Sequence, residues 1–309
     1  MERKIRAGDI VVVNVNNRHY SLIIFGITAF QINAGEYTII PRDGAWQVAN
    51  YNIPHTVSFY AQNSLKIITL NLGYNVIANI VAGSESSLVE MCQTAYGGGW
   101  KDSSRTISTC TYNSAELLSH YTLFGLQEVH PKYRTKLQET IQGFNPSANY
   151  KFISGAGILT GFDQNVTGEG VLLTPSTYLL KDRGMQIISF PKLGLIFINL
   201  HAPHNINLKK EIEKNCSQIK LSSAPKRVIM VGDFNDFKGS LLTKSIDVFG
   251  FHLRIPNATH LLTCCADSEY VYPGDYILTS NYKGEHYGYP PKYVRGRPLI
   301  SDHDPVVLQ

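Results

Sequence analysis

The feature that most constrains this chain is a series of short apolar runs, several of which end in a polar residue of one chemical kind. The first, Leu65–Leu72, reads LKIITLNL and closes on Asn71. Near-continuous apolarity over that length suits a strand buried on both faces. Further runs follow at Leu123–Gln127, Val171–Leu173, Met185–Phe190, Leu195–Leu200, Val228–Val231, Tyr276–Leu278 and Val306–Leu308. Helix-like segments lie between some of them, at Ser86–Gln93, Tyr133–Gln142 and Leu208–Lys220. Strands alternating with helices, with some strands following one another directly, predict an α/β fold of two sheets sandwiched by helices.

The first sixty or so residues have a different texture. Ile10–Val15, His19–Phe25, Glu36–Ile40 and Trp46–Ala49 are rich in β-branched and aromatic residues, and Asn/Gly/Pro turn signals separate them. Residues 1–62 are therefore expected to form a small β-rich N-terminal unit or extension, and residues 63–309 the main domain. The sequence leaves three roles open for the small unit: docking a protein partner, anchoring in an assembly, or extending the main sheet.

The polar strand ends share one chemistry. Asn71 ends the first run, and Gln127-Glu128 ends the next. His201 follows Ile198-Asn199-Leu200, and Val231-Gly232 runs into Asp233-Phe234-Asn235. Asp275 immediately precedes Tyr276, and the chain finishes through Ser301-Asp302-His303-Asp304-Pro305. Strand ends converge at one edge of a sheet, where functional residues gather. Carboxylates and amides are hard oxygen ligands of the kind that suit Mg²⁺ or Mn²⁺. Histidine beside carboxylate suits proton transfer. Each residue has a plainer explanation alone: Asn71 as a strand cap, Asp233 and Asn235 as an Asx turn, His201 as a structural ring. Their joint occurrence in one order outweighs those explanations.

That ordered set resembles the endonuclease/exonuclease/phosphatase superfamily, the fold of deoxyribonuclease I, over about residues 63–309. The resemblance implies a four-layer sandwich of two mostly antiparallel β-sheets flanked by helices. It also implies a Mg²⁺-dependent phosphodiesterase, with Mn²⁺ as an alternative ion. Glu128 resembles the carboxylate that binds the metal, with Asn71 beside it and Asp302 as a second acidic contributor. His303 resembles the histidine on the scissile phosphate, oriented by Asp275. Asp233 resembles the residue that positions or deprotonates the attacking water, and Asn235 the amide that holds a phosphate oxygen. His201 resembles a second histidine, a general acid or phosphate ligand, with Glu169 as its candidate partner. The resemblance covers nucleases together with phosphatases and phosphodiesterases for phosphoinositides, sphingomyelin or nucleotides. An inactive protein of the same fold would show a broken core position, and none is broken.

The segment before His303 fits nucleic acid as the substrate, and equally fits a Pro/Tyr-rich loop packed on the surface. Between Tyr282 and Arg297, Lys283, Lys292, Arg295 and Arg297 alternate with Tyr282, Tyr287, Tyr289 and Tyr293. Cations meet phosphates and tyrosines stack on bases. A net charge of +4 is compatible with a polyanionic substrate without establishing one. The five cysteines have no zinc-type spacing and are expected to be buried or free thiols in a reducing compartment. With no signal-peptide core and no apolar window of membrane-spanning length, the expectation is a soluble, intracellular protein.

Overall fold

The structure is a computed structural model. In the larger unit it describes residues 65–73, 109–129, 131–204, 207–236, 238–239, 241, 244–256, 261–264, 272–280, 286–291, 301 and 303–309. In residues 1–64 it describes the backbone of six strands. The chain divides into two compact units, Met1–Ser64 and Leu65–Gln309. In the first unit, β1 (Ile10–Val15), β2 (Arg18–Ile23) and β6 (Phe59–Ala61) form a sheet ordered β2-β1-β6. The strands β3 (Phe30–Ile32), β4 (Tyr37–Arg42) and β5 (Ala45–Val48) form a second, ordered β3-β4-β5.

The larger unit holds two sheets. The first is ordered β19-β20-β7-β8-β10-β9. Its strands are β7 (Ile67–Asn71), β8 (Leu123–Gln127), β9 (Tyr150–Gly155), β10 (Ile158–Asp163), β19 (Tyr287–Gly288) and β20 (Val306–Leu308). The second is ordered β11-β13-β14-β15-β18, with β12 (Leu179–Leu180) also paired to β13. Its strands are β11 (Val171–Leu172), β13 (Arg183–Phe190), β14 (Leu195–His201), β15 (Arg227–Asp233) and β18 (Asp275–Thr279). A small hairpin, β16 (Ile246–Val248) with β17 (Phe251–Leu253), stands apart. Each large sheet is antiparallel except for one central parallel pair, β7 with β8 and β14 with β15.

Four helices are described: α1 (Thr109–Leu118), α2 (Pro131–Phe144), the short α3 (Gln164–Thr167) and α4 (Leu208–Ser217). Cys110, Ala115 and Leu118 of α1, with Leu137 and Ile141 of α2, pack on Ile68, Leu70, Phe124 and Leu126 of the first sheet. Ile212 and Cys216 of α4 join the core of the second sheet. The layers therefore run helix, sheet, sheet, helix, as the sequence predicts. The predicted helix at Ser86–Gln93 lies outside the described residues. No described helix is long and apolar enough to cross a membrane.

Strand period places the chemistry. Side chains alternate faces, so when Ile68 and Leu70 of β7 face the helices, Ile67, Thr69 and Asn71 face the opposite sheet. On β8, Leu123, Gly125 and Gln127 face inward by the same rule. On β14, Leu195, Phe197, Asn199 and His201 share one face, and on β15 so do Ile229, Val231 and Asp233. Along each inward face the residues change from apolar at one end to amide, imidazole or carboxylate at the other. The apolar end is closed by Phe162 of β10 against Phe190 of β13, ring centroids 5.0 Å apart. Two glycines permit the close approach of strands. A Cβ on Gly125 would lie 2.4 Å from Val231 Cγ2 and 2.9 Å from the Asn199 side chain. A Cβ on Gly232, whose φ is +145°, would lie 1.9 Å from the Leu200 carbonyl oxygen.

The cysteines depart from expectation. Cys110 and Cys264 each take part in a disulfide. Cys216 is a free, buried thiol, and burial pushes its pKa up to about 12. Cys92 and Cys265 lie outside the described residues. An all-thiol reading fails because cysteine spacing along the chain does not report proximity in the fold.

Candidate active site

The polar ends of the four parallel strands meet at one edge. Register aligns them: Asn71 lies beside Gln127 across β7 and β8. His201 lies beside Asp233 across β14 and β15, and Asp233 beside Asp275 across β15 and β18. Sheet one thus supplies Asn71 and Glu128, and sheet two supplies a row of His201, Asp233 and Asp275. His303 enters on the loop before β20.

The two halves are bonded to each other. Asn71 Nδ2 donates to Asp233 Oδ2 at 2.9 Å. His303 Nδ1 and Asp275 Oδ2 are 2.7 Å apart. His201 Nε2 lies 3.6 Å from Asp233 Oδ2 and 3.8 Å from Glu128 Oε1. Asn235 is fixed twice, its backbone N–H donating to Asp233 Oδ1 at 2.8 Å and its Nδ2 to the Ala202 carbonyl at 2.6 Å. Ser301 Oγ donates to the Asn71 carbonyl at 2.7 Å, tying the C-terminal motif to β7. Glu128 and Asn235 both hold left-handed backbone, at φ 52° and 48°. That conformation costs a glutamate roughly 1 kcal/mol or more, and such strain collects at functional sites.

Burial sets the electrostatics. Asp233, Asp275, His201 and His303 are all buried. Burial pushes the His201 imidazole down to about 4, and the attraction of Asp233 offsets only part of that. Arg183, His303 and His204 push it the same way as burial. Burial, and after it the Asp275 carboxylate, raise Asp233 above the ordinary carboxylate range. His303, His201 and the Asn235 N–H oppose that rise.

These residues fit a divalent cation. Ligand atoms of Asp233, Asp275 and His303 all lie within 4.8 Å of one another. Asp275 Oδ1 is buried with no hydrogen-bond partner. An orphaned oxygen beside a second buried carboxylate is an arrangement that a cation relieves. Glu128 is the more open carboxylate, its side chain 27% exposed. Asp302, the remaining expected ligand, lies outside the described residues.

Other expected residues fall elsewhere. Glu169 is exposed and forms no hydrogen bond or ion pair with His201. The carboxylates beside that ring are Asp233 and Glu128, so the proposed pairing with Glu169 is replaced. Tyr287, expected to stack on substrate, is 7% exposed and belongs to the core, because β19 pairs it with Leu308 at a sheet edge. Tyr289 is half-buried, and its hydroxyl donates to the Leu262 carbonyl at 3.0 Å. Lys283, Lys292, Tyr293, Arg295 and Arg297 lie outside the described residues.

Four contributors were missed from the sequence. Arg183 starts β13 near His201, and His204 follows β14. Only strand pairing brings Arg183 to this edge, so no local signal could have found it. Thr263 is fully buried, and its Oγ1 accepts from the backbone N–H groups of Gly274 and Asp275 at 3.0 and 2.8 Å. The next residue, Cys264, places its sulfur 3.4 Å from His303 Nε2.

No family model and no curated protein sequence matches the chain. Solved structures do. An endonuclease/exonuclease/phosphatase family protein from Leptotrichia buccalis matches with a TM-score of 0.50 at 16% identity, over 80% of this chain and 99% of that one. An endonuclease/exonuclease/phosphatase from Bacteroides vulgatus gives 0.48 at 13% identity, over 79% and 97%. TDP2 from D. rerio, complexed with single-strand DNA product, gives 0.47 at 12% identity, over 79% and 97%. The larger unit has the endonuclease/exonuclease/phosphatase fold, the deoxyribonuclease I-like sandwich implied by the motif order.

Proposed function

We propose that this chain is a divalent-metal-dependent phosphodiesterase that hydrolyses nucleic acid, DNA or RNA, by attack of an activated water on phosphorus. The observation that carries the reading is the row His201–Asp233–Asp275 facing Asn71 and Glu128 across two sheets, with His303 bonded to Asp275. Mg²⁺ would be held by Glu128 with Asn71 and Asp302, with the Asp233–Asp275–His303 group as a second candidate cation position, and would neutralise charge on the phosphoryl oxygens.

The chain's own groups divide the remaining work. Asp233, raised above the ordinary range by burial, accepts the proton of the attacking water more readily than an exposed carboxylate. His303 is held at Nδ1 by Asp275 and has Nε2 3.4 Å from Cys264 Sγ, so its contact with the phosphate, and proton transfer to the departing oxygen, require that nitrogen to leave the sulfur. Asn235, held at its amide nitrogen and backbone, offers a fixed dipole to a phosphoryl oxygen. His201, kept neutral by burial, donates one N–H and carries no extra proton at neutral pH. That favours a phosphate-ligand role over general acid for this ring.

Cleavage of supercoiled plasmid, single-stranded DNA and RNA in Mg²⁺, Mn²⁺ and EDTA tests the proposal, with Glu128→Ala and His303→Ala beside the native chain. The expected result is cleavage with metal, none in EDTA, and a loss of about 10²–10⁴-fold in His303→Ala. Hydrolysis of phosphoinositide, sphingomyelin or a nucleotide with all three polymers left intact would replace the nucleic-acid reading.

A further inference from the structure

Directly beneath the site, between the sheets, lies a layer of polar side chains that the chemistry above does not use. Gln127, Asn199, Thr69, Thr160 and Gln186 are each completely buried. They are joined in one hydrogen-bonded group. Gln127 Nε2 donates to Asn199 Oδ1 at 2.8 Å and to Thr69 Oγ1 at 3.2 Å. Asn199 Nδ2 donates to Thr160 Oγ1 and the Leu159 carbonyl, both at 3.1 Å. Thr160 Oγ1 donates to Gln186 Oε1 at 2.8 Å, and Gln186 Nε2 to the Ile153 carbonyl at 3.2 Å. Thr69 Oγ1 donates to the Gly125 carbonyl at 3.1 Å. The strands bearing Thr69, Gln127 and Thr160 belong to sheet one, and those bearing Asn199 and Gln186 to sheet two.

The position of this layer is informative. Gln127 immediately precedes Glu128, and Asn199 stands two residues before His201 on the same face of β14. Two residues of strand span about 7 Å. Glu128 and His201 come from different sheets, so their 3.8 Å approach depends on how the sheets are registered against each other. Apolar packing is non-directional and tolerates sliding, whereas a buried hydrogen bond has one geometry and is costly to leave unmade. The backbone makes room for the bond: Gly125 has no Cβ where one would press on Asn199 at 2.9 Å.

We infer that Gln127 and Asn199 are positioning residues, a cross-sheet clamp that sets the register in which Glu128 and His201 face one another. Thr69, Thr160 and Gln186 complete the clamp by satisfying its remaining donors and acceptors. This rests on the two-sheet site proposed above.

The test is a double-variant cycle with Gln127→Met, Asn199→Leu and the pair together. Each single variant strands a buried partner and lowers Tm. The pair removes both partners and recovers much of that loss, because apolar groups of similar shape leave nothing unsatisfied. Two readouts follow each variant: Mn²⁺ affinity by calorimetry, and the ring-nitrogen resonances of His201 and His303 in metal-free protein. A clamp predicts that the pair, although refolded, binds Mn²⁺ at least about tenfold more weakly, with shifted His201 resonances. Native affinity and native resonances in a stable pair would overturn it. Should the pair fail to fold, Thr160→Val, which removes one hydroxyl and leaves Gln186 Oε1 without its donor, is expected to lower Tm and to shift the His201 resonances. Unshifted resonances there would equally overturn the clamp. Glu128→Ala serves as a control: native Mn²⁺ affinity in that variant would refute the metal reading, and the ring resonances alone would then decide the clamp.

Discussion

The two sheets are built alike and used differently. Each has one central parallel pair in an otherwise antiparallel order, and each turns the C-terminal ends of that pair toward the same edge. Sheet two places His201, Asp233 and Asp275 there in one buried row, with His201 and Asp233 shifted from their ordinary protonation behaviour. Sheet one contributes Asn71, which is tied to Asp233, and Glu128, a partly exposed carboxylate on left-handed backbone. One sheet holds a desolvated set of one imidazole and two carboxylates, and the other the more open carboxylate, Glu128. Such division lets a site keep perturbed pKa values while leaving one face accessible.

The largest effect is expected where sheet two is tightest. Gly232→Ala would drive a Cβ to 1.9 Å from the Leu200 carbonyl oxygen at φ +145°. Separation of β14 from β15, with destabilisation above about 3 kcal/mol, should appear in urea unfolding. The sheet-one counterpart, Gly125→Ala, meets the Val231 methyl group at 2.4 Å. It should cost about 1–3 kcal/mol, since side chains yield more readily than backbone. An equal or larger cost at Gly125 would break the contrast.

Acid stability sharpens the comparison further. The folded pKa of His201, about 4, lies below the ordinary 6.5, so folding favours the neutral ring. The stability this gives is whole above pH 6.5 and is lost as pH falls through that value toward 4, by about 3 kcal/mol in all. Asp233 acts in the opposite sense: its raised pKa favours the protonated form, a contribution present at low pH and lost as pH rises. Urea unfolding of metal-free protein at pH 7 and pH 5 should therefore show a smaller stability difference in His201→Gln than in the native chain. Unchanged pH dependence in the variant would place the acid sensitivity elsewhere.

The smallest expected effect lies away from both sheet ends. Asn207 caps α4, its Oδ1 accepting from the Lys210 N–H at 3.3 Å. Asn207→Ala should cost about 1 kcal/mol in thermal unfolding and leave hydrolysis unchanged.

What the sequence revealed follows the same division. Buried strands were legible because a strand covered on both faces needs an unbroken apolar run, and Leu123–Gln127 and Val306–Leu308 have the bounds read from sequence. The β9–β10 hairpin was not read. Its YKFISG strand is mostly half-exposed, and Gly155, Gly157 and Gly161 mimic a loop. Helix α1, TCTYNSAELL, lacks strong helical periodicity and is held by its packing on sheet one. The residues that meet at this edge were legible because each lies at or beside the end of a strand. Their partners were not, since the Asn71–Asp233 bond joins residues 162 apart and Gln127–Asn199 residues 72 apart. Tyr287 misled for the same reason: a two-residue strand gives no local sign that its tyrosine is core.

The most direct test of a site shared between two sheets is Mg²⁺-dependent hydrolysis of one phosphodiester by Glu128→Ala, Asp233→Asn and the double variant. Groups that act as a unit lose nearly everything when either is removed. The prediction is that each single variant loses about as much rate as the double. Independent losses that multiply in the double variant, or a single variant that keeps the native rate, would contradict a site assembled from both sheets.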